Sequence, residues 1–126
     1  MKLILLLVIV FTITTSVDSC DKKKKQDSLY RGRLEIKAIC MNYTLKLTEG
    51  NIDTSMIAAS WTDESTGKKH TNVFALGNPC DFPKTINQGD EFYFTIDTST
   101  SQKDCLVCMA YYPTPPKKLA IRVVEK

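Results

Sequence analysis

Cys105 and Cys108 have the most recognisable chemical spacing in the chain, a C-x-x-C pair. This spacing occurs in thiol-redox sites and in zinc sites. In a redox site the pair lies where a strand meets a helix, which lowers the pKa of the first thiol. Here both flanks have the composition of a strand, and three residues along a strand span about 10 Å, more than the ~7 Å that a disulfide tolerates. We therefore expect each cysteine to bond elsewhere and neither to be a catalytic thiol.

The cysteines left as disulfide partners are Cys40 and Cys80, which allows two pairings. Cys40 and Cys108 each continue the apolar face of a predicted strand, so we favour Cys40–Cys108 together with Cys80–Cys105. The reverse pairing stays open. A zinc site built from all four thiolates also stays open, although structural zinc sites commonly have two close cysteine pairs.

His70 is the only histidine of the chain, and it stands beside Lys68 and Lys69 on a predicted hairpin arm. This position predicts a surface side chain without a catalytic or metal-binding role. Asp63-Glu64 and Asp90-Glu91 could act together as acid and base, but both pairs fall in turns, where such residues are common. The sequence has no Gly-rich phosphate loop, H-E-x-x-H motif or EF-hand loop. We therefore expect neither enzymatic activity nor a cofactor or metal.

Three aromatic residues, Trp61, Tyr111 and Tyr112, are the candidates for ligand contacts. The tyrosines precede a segment with three prolines, which would hold them on a stiff loop facing a protein or sugar partner. Amphipathic aromatic side chains suit the rim of a β domain equally well. Trp61 is expected in the core or at such a rim.

The elements that must position these residues are strands. From Arg31 onward, polar and apolar residues alternate between turn residues, and no long helical pattern occurs. About six or seven short strands predict an all-β fold, an antiparallel barrel or sandwich. The clearest segments are two adjacent strands (33–40 and 43–48), a short helical turn (52–60), a hairpin (60–76), a strand burying Phe92, Phe94 and Ile96, a strand from Cys105 to Tyr111, and a final strand through Leu119, Ile121 and Val123.

The first 19 residues have the three parts of a signal peptide: a basic start at Lys2, an apolar run from Leu3 to Ile13, and a small, polar end. The apolar run is shorter than the ~18–20 residues that a permanent membrane helix needs. Val17-Asp18-Ser19-Cys20 follows in the form of a lipobox, with Asp18 where a small residue is usual. Cleavage by ordinary signal peptidase is the alternative.

The charged stretch after Cys20 contains four consecutive lysines, Lys22 to Lys25. The whole arrangement resembles small lipoproteins of Bacteroidetes. The resemblance covers a type II signal peptide over 1–19 and a lipidated cysteine with a charged tether over 20–30, while the strand pattern predicts a single β domain over 31–126. The resemblance also implies an envelope location with the lipid bilayer as partner through acylated Cys20, and it implies no activity.

The formal net charge is +3, and much of it lies in the lysine run. Nucleic-acid-binding domains usually have a basic face on the domain itself, so we expect no nucleic acid partner. The expected function is a non-catalytic, membrane-tethered module of the cell envelope that binds a protein, a glycan or a small ligand. The alternative is a thiol-redox or metal-handling envelope protein that uses Cys105 and Cys108.

Overall fold

A computed structural model describes residues 28–99 and 103–125. The predicted signal peptide, Cys20 and most of the predicted tether therefore lie outside the described residues. The described chain is all-β, as predicted, with two single-turn 3-10 helices, η1 (Ile39–Met41) and η2 (Pro79–Asp81). Its strands are β1 (Tyr30–Lys37), β2 (Tyr43–Glu49), β3 (Ala58–Thr62), β4 (Lys69–Leu76), β5 (Glu91–Ile96), β6 (Lys118–Leu119) and β7 (Ile121–Val124).

The strands form one sheet that folds back on itself. Its order is β3-β4-β2-β1-β5-β7, with antiparallel neighbours throughout, and β6 adds to β4 in parallel. The last segment of the chain therefore pairs with both halves of the sheet, through Leu119 opposite Leu76 and through Ile121 opposite Ile96. The sheet does not close into a barrel. Of the two predicted architectures, the structure therefore has the sandwich and not the barrel.

The core lies between the apolar faces of these strands. Leu34, Leu45, Phe74 and Phe94 are completely buried. The rings of Phe74 and Phe94 lie 6.0 Å apart, and the ring of Phe92 is also 6.0 Å from that of Phe94. The face predicted for β5 is confirmed at Phe92 and Phe94, which are buried, while Ile96 on the same face is half-buried and packs against the core. Burial of each large apolar side chain contributes about 1.5–3 kcal/mol.

A bend in β4 separates the β3–β4 hairpin from the rest of the sheet. Asn72 has a φ of 53°, a left-handed conformation that asparagine tolerates better than most residues. β2 pairs with β4 only from Val73 to Ala75. Before the bend, Lys46 Nζ of β2 donates to the Thr71 carbonyl oxygen at 2.7 Å. The predicted hairpin is confirmed, because β3 and β4 are antiparallel neighbours that pair from Ala58 opposite Val73 to Thr62 opposite Lys69. Its free end lies near β1, two strands away in the sheet order, since His70 contacts Glu35.

Two other segments differ from the sequence predictions. Asp53 accepts the backbone N–H of Ser55 in a hydrogen-bonded turn, and β3 begins at Ala58, so the predicted helical turn does not extend beyond that turn. β1 ends at Lys37, and Cys40 belongs to η1 with a φ of 58° rather than to the strand.

The prediction of a strand from Cys105 to Tyr111 is wrong. These residues have no regular secondary structure, and most of their side chains are exposed. The reason is where their disulfide partners lie: Cys40 follows β1 and Cys80 follows β4, in η1 and η2. The two bridges hold the segment across the ends of strands. A segment can join a sheet as a new strand only where it runs along the open edge of an existing strand.

Candidate functional site

A cleft of about 300 Å³ opens between the β3–β4 hairpin and the end of β1. Ile36, Lys37 and Ala38 form its β1 side, next to the bridge cysteine Cys40. Glu35 of β1 also lines the cleft. The other lining residues come from the hairpin and from two loops: Asp63, Thr66, Lys68 and His70 from the hairpin, and Gln88 and Tyr112 from the loops.

His70 is buried, with 6% of its surface exposed, so the prediction of a surface histidine is wrong. Its Nδ1 lies 3.1 Å from Glu35 Oε1. The residue was expected outside because its sequence neighbours are lysines. The bend at Asn72 instead places His70 against β1, while Lys68 and Lys69 remain exposed.

Glu35 orients this histidine. Its Oε2 accepts hydrogen bonds from Arg33 Nε and Nη2 at 2.9 and 2.8 Å. Burial raises the pKa of Glu35, but the hydrogen bonds from Arg33 and His70 outweigh burial, and the net pKa lies below its usual value. An ionised carboxylate can only accept hydrogen bonds, so His70 Nδ1 carries a proton. Nε2 is therefore the ring nitrogen that remains for a ligand.

Asp63 is the second buried carboxylate of the cleft, with 1% of its surface exposed. Oδ1 accepts the Ser65 N–H at 2.8 Å and the Ser65 hydroxyl at 2.6 Å, and Oδ2 accepts the Tyr112 hydroxyl at 3.1 Å. Burial raises the pKa of Asp63, whereas the bonds from Ser65, Tyr112 and Thr66 lower it below its usual value overall. Asp63 thereby ties the hairpin turn to the segment after the last cysteine.

The three aromatic candidates lie in different surroundings. Tyr112 lines the cleft, as a ligand contact would. Trp61 packs its ring 5.7 Å from the His70 ring, at the edge of the same region. Tyr111 points away into solvent and is 81% exposed.

The two predicted acidic pairs are not brought together as an acid and a base. Asp63 lines the cleft, but Asp90 and Glu91 do not. Asp90 Oδ2 accepts the Asn87 N–H at 2.8 Å, and Glu91 forms an ion pair with Arg31 at 2.6 Å.

The four cysteines of the β domain form Cys40–Cys108 and Cys80–Cys105 disulfides, with Cα atoms 5.0 and 5.6 Å apart. The favoured pairing is confirmed, although the strand face used to choose it does not exist for Cys108. These bridges leave no thiolate at the four positions for a zinc ion. Across residues 28–99 and 103–125, no group of three or more His, Cys, Asp or Glu side chains is placed to hold a metal ion.

The segment from Cys105 to Tyr111 is unusually exposed. Leu106 and Met109 are almost fully exposed, and Ile39, beside Cys40, is 60% exposed. One contact holds the following backbone, a hydrogen bond of 3.0 Å from Asn42 Nδ2 to the Ala110 carbonyl oxygen. The cross-links therefore present apolar side chains at the same end of the sandwich as the cleft.

Comparison of the chain with family models, curated proteins and solved structures finds no match. Among the residues described by the structure, none forms a helix with the length and apolar character needed to cross a bilayer.

The sequence does not indicate that Glu35, Lys68 and Gln88 line the cleft. Glu35 is one of several charged residues on the polar face of β1, and its contact with His70 spans 35 positions in the chain. Such a contact has no local signature. The one usable signal was that His70 stands between Lys69 and Thr71 on a predicted strand, so that it faces the side opposite to theirs.

Proposed function

We propose that this protein is a lipid-anchored protein of the cell envelope that binds a ligand in the cleft beside His70. The binding proposal rests on one observation: polar side chains of this cleft are held in place by hydrogen bonds before any ligand binds. Glu35 is held by Arg33 of the same strand, and Asp63 is held by Ser65 of the same turn. The two carboxylates in turn orient His70 and Tyr112, which come from other elements. Groups whose positions are set before binding need little reorganisation when a ligand arrives.

The position of the cleft suits a tethered protein. β1 begins at Tyr30, close to the predicted tether, and ends at Lys37, which lines the cleft. Strands rise about 3.3 Å per residue, so the two ends of β1 are about 23 Å apart. The predicted tether therefore joins the β domain at the end of β1 opposite to the cleft.

The disulfides support an envelope location. Two bridges join four cysteines across long stretches of chain, 68 and 25 residues. Structural disulfides persist in oxidising compartments and are rare where thiols are kept reduced.

Replacement of Cys20 tests the anchor. The Cys20→Ser chain, expressed in a bacterial host with an alkyne-tagged fatty acid, should incorporate no label and should leave the membrane fraction, because the thioether site is lost. Cys40→Ser is the control, since it alters another cysteine and should keep the label. A Cys20→Ser chain that stays in the membrane would contradict the lipid anchor and would support an uncleaved apolar helix.

Filling the cleft tests binding. The probes are glucose, glucosamine, glucuronate and glucose 6-phosphate, which share a ring and differ in charge. Trp61 is the only tryptophan, so its fluorescence reports events beside His70. At least one probe should give a saturable change that Ala38→Trp abolishes by filling the cleft, with binding checked by calorimetry because this variant adds a second tryptophan. If no probe binds, the proposal of a small-ligand cleft is wrong.

A further inference from the structure

Several hydrogen-bond donors of the cleft have protons without an acceptor among the described residues. Its two carboxylates, Glu35 and Asp63, are already occupied by neighbouring side chains. Lys68 Nζ makes no hydrogen bond or ion pair within the described part of the chain, although Lys68 lines the cleft. Lys37 Nζ uses one of its three protons on the Ile86 carbonyl oxygen at 2.9 Å. Two ammonium groups therefore have protons available for a ligand.

Gln88 adds a neutral donor whose orientation is set by the backbone. Its Oε1 accepts the Lys37 N–H at 2.9 Å, so the amide NH₂ group is left for a ligand. His70 Nε2 can donate to an anion when the ring has both protons, and it can accept from a ligand hydroxyl when the ring is neutral.

Charge favours the same kind of ligand. A second depression shares Glu35, Lys68 and Gln88 with the cleft and adds Arg33 to its lining. Arg33, Lys37 and Lys68 together outnumber the two carboxylates. Arg33 Nη2 lies 2.8 Å from Glu35 Oε2, so the carboxylate that lines both depressions is already paired with a cation.

We infer that the cleft binds a small organic anion, with carboxylate or phosphate oxygens held by Lys68 and by the Gln88 amide. A volume of about 300 Å³ suits a ligand of about one sugar ring, because it lies at the lower end of the range for small-molecule sites. Ile36 and Ala38 offer apolar contact to the rest of such a ligand. The inference rests on the proposed function and adds the chemical class of its ligand.

The experiment uses the full chain purified from membranes in detergent and the same four probes. Glucuronate and glucose 6-phosphate should bind, and glucose should bind at least about 10-fold more weakly, since hydrogen bonds to a charged group are worth about 1.5 kcal/mol or more. The two anions distinguish a carboxylate from a phosphate ligand. Added salt should weaken anion binding, because ions screen the attraction of exposed lysines.

Lys68→Gln is the decisive variant, and Lys69→Gln is its matched control. Both remove one exposed positive charge, but only Lys68 lines the cleft. Lys68→Gln should weaken binding of the anion about 5-fold and reduce its salt dependence, while Lys69→Gln should change neither by more than about 2-fold. Glucose binding as tightly as glucuronate, or equal effects of the two variants, would overturn the anion inference and leave the binding function standing. If none of the four probes binds, the proposed function itself fails.

Discussion

Asp63 and His70 are buried ionisable side chains on the same hairpin, and each is stabilised by a partner from a distant element. Tyr112, which bonds Asp63, is 49 residues away along the chain, and Glu35 is 35 residues from His70. A buried charged group is tolerated only when hydrogen bonds replace the water it has lost. The two contacts therefore keep the hairpin end in place beside β1 and shape the cleft.

Replacing Asp63 tests this role. Asp63→Asn should reduce the free energy of unfolding at pH 7 by about 1–2 kcal/mol, because an amide accepts fewer hydrogen bonds than a carboxylate and adds an unpaired donor. The folded-state pKa of Asp63 is lowered, so its ionised form stabilises the fold above the ordinary pKa of 3.8, and this contribution is lost as the pH falls through the lowered value. Urea unfolding at pH 7 and near pH 3 should show the difference from wild type shrinking at acid pH.

Asp53→Asn is the control for this measurement. Asp53 also accepts a Ser N–H in a turn, at 2.7 Å from Ser55, but it is exposed. Its replacement should have a smaller effect on stability at pH 7. Equal effects of the two variants would show that burial of Asp63 adds nothing to the strength of its hydrogen bonds.

At the scale of elements, alternation of polarity identified strands only where a strand has one buried face. β5 follows the rule, with Phe92 and Phe94 inside and Glu91 outside. The apolar run from Cys105 to Tyr111 does not, since Leu106 is fully exposed. Apolar composition alone therefore misled the prediction in the one segment that is held by disulfides.

Two truncations compare these segments directly. Phe94→Ala should lower the free energy of unfolding by about 3–5 kcal/mol, because it leaves a cavity in the core. Leu106→Ala should change it by less than about 0.5 kcal/mol, as surface changes usually do. Thermal or urea unfolding with both bridges intact measures each. A loss at Phe94 below about 1 kcal/mol, or a large loss at Leu106, would mean that the buried and exposed assignments are wrong.

A buried side chain also completes the pairing of the last strand. Asn78 Nδ2 donates to the Ile121 carbonyl oxygen at 2.7 Å, and its Oδ1 accepts the Ile121 N–H at 2.9 Å. Its amide thus pairs with both backbone groups of Ile121, the first residue of β7, where the chain passes from β6 to β7. Asn78 lies in a Gly-Asn-Pro loop, where asparagine is expected for its turn preference, so the sequence does not reveal this second role.

At the scale of the whole molecule, the disulfides join the loops at the end of the sandwich that has the cleft. Cys40–Cys108 encloses β2 to β5, and Cys80–Cys105 encloses β5. By the entropy of loop closure, each bridge contributes about 3.5–4.5 kcal/mol, the longer loop contributing more. That is a large share of the stability of a domain of this size.

Non-reducing peptide mapping should link Cys108 to Cys40 and Cys105 to Cys80, with no free thiol among the four. Reduction should lower the melting temperature and should create no oxidoreductase activity, since the bridges only restrain the chain. Thioredoxin under the same conditions is the positive control for activity. A bridge between Cys105 and Cys108, or bound zinc after mild reduction, would instead favour the thiol-redox or metal-handling alternative.

The amino-acid sequence by itself determined the all-β class, the β3–β4 hairpin and the buried face of β5. Each of these depends on residues that are close along the chain and on a repeat of two residues. It also restricted the cysteine pairing, because the short spacing of Cys105 and Cys108 disfavoured a bond between them.

Only the tertiary structure decided which side chains form the cleft and that the sheet stays open. Asn72 is an ordinary residue in the sequence, yet the bend at this position brings His70 to Glu35 across β2. The burial of His70, the open sheet and the exposed segment after Cys105 all depend on contacts between residues far apart in the chain. Such contacts produce no periodic pattern in the sequence, because the residue types next to each partner do not depend on the contact.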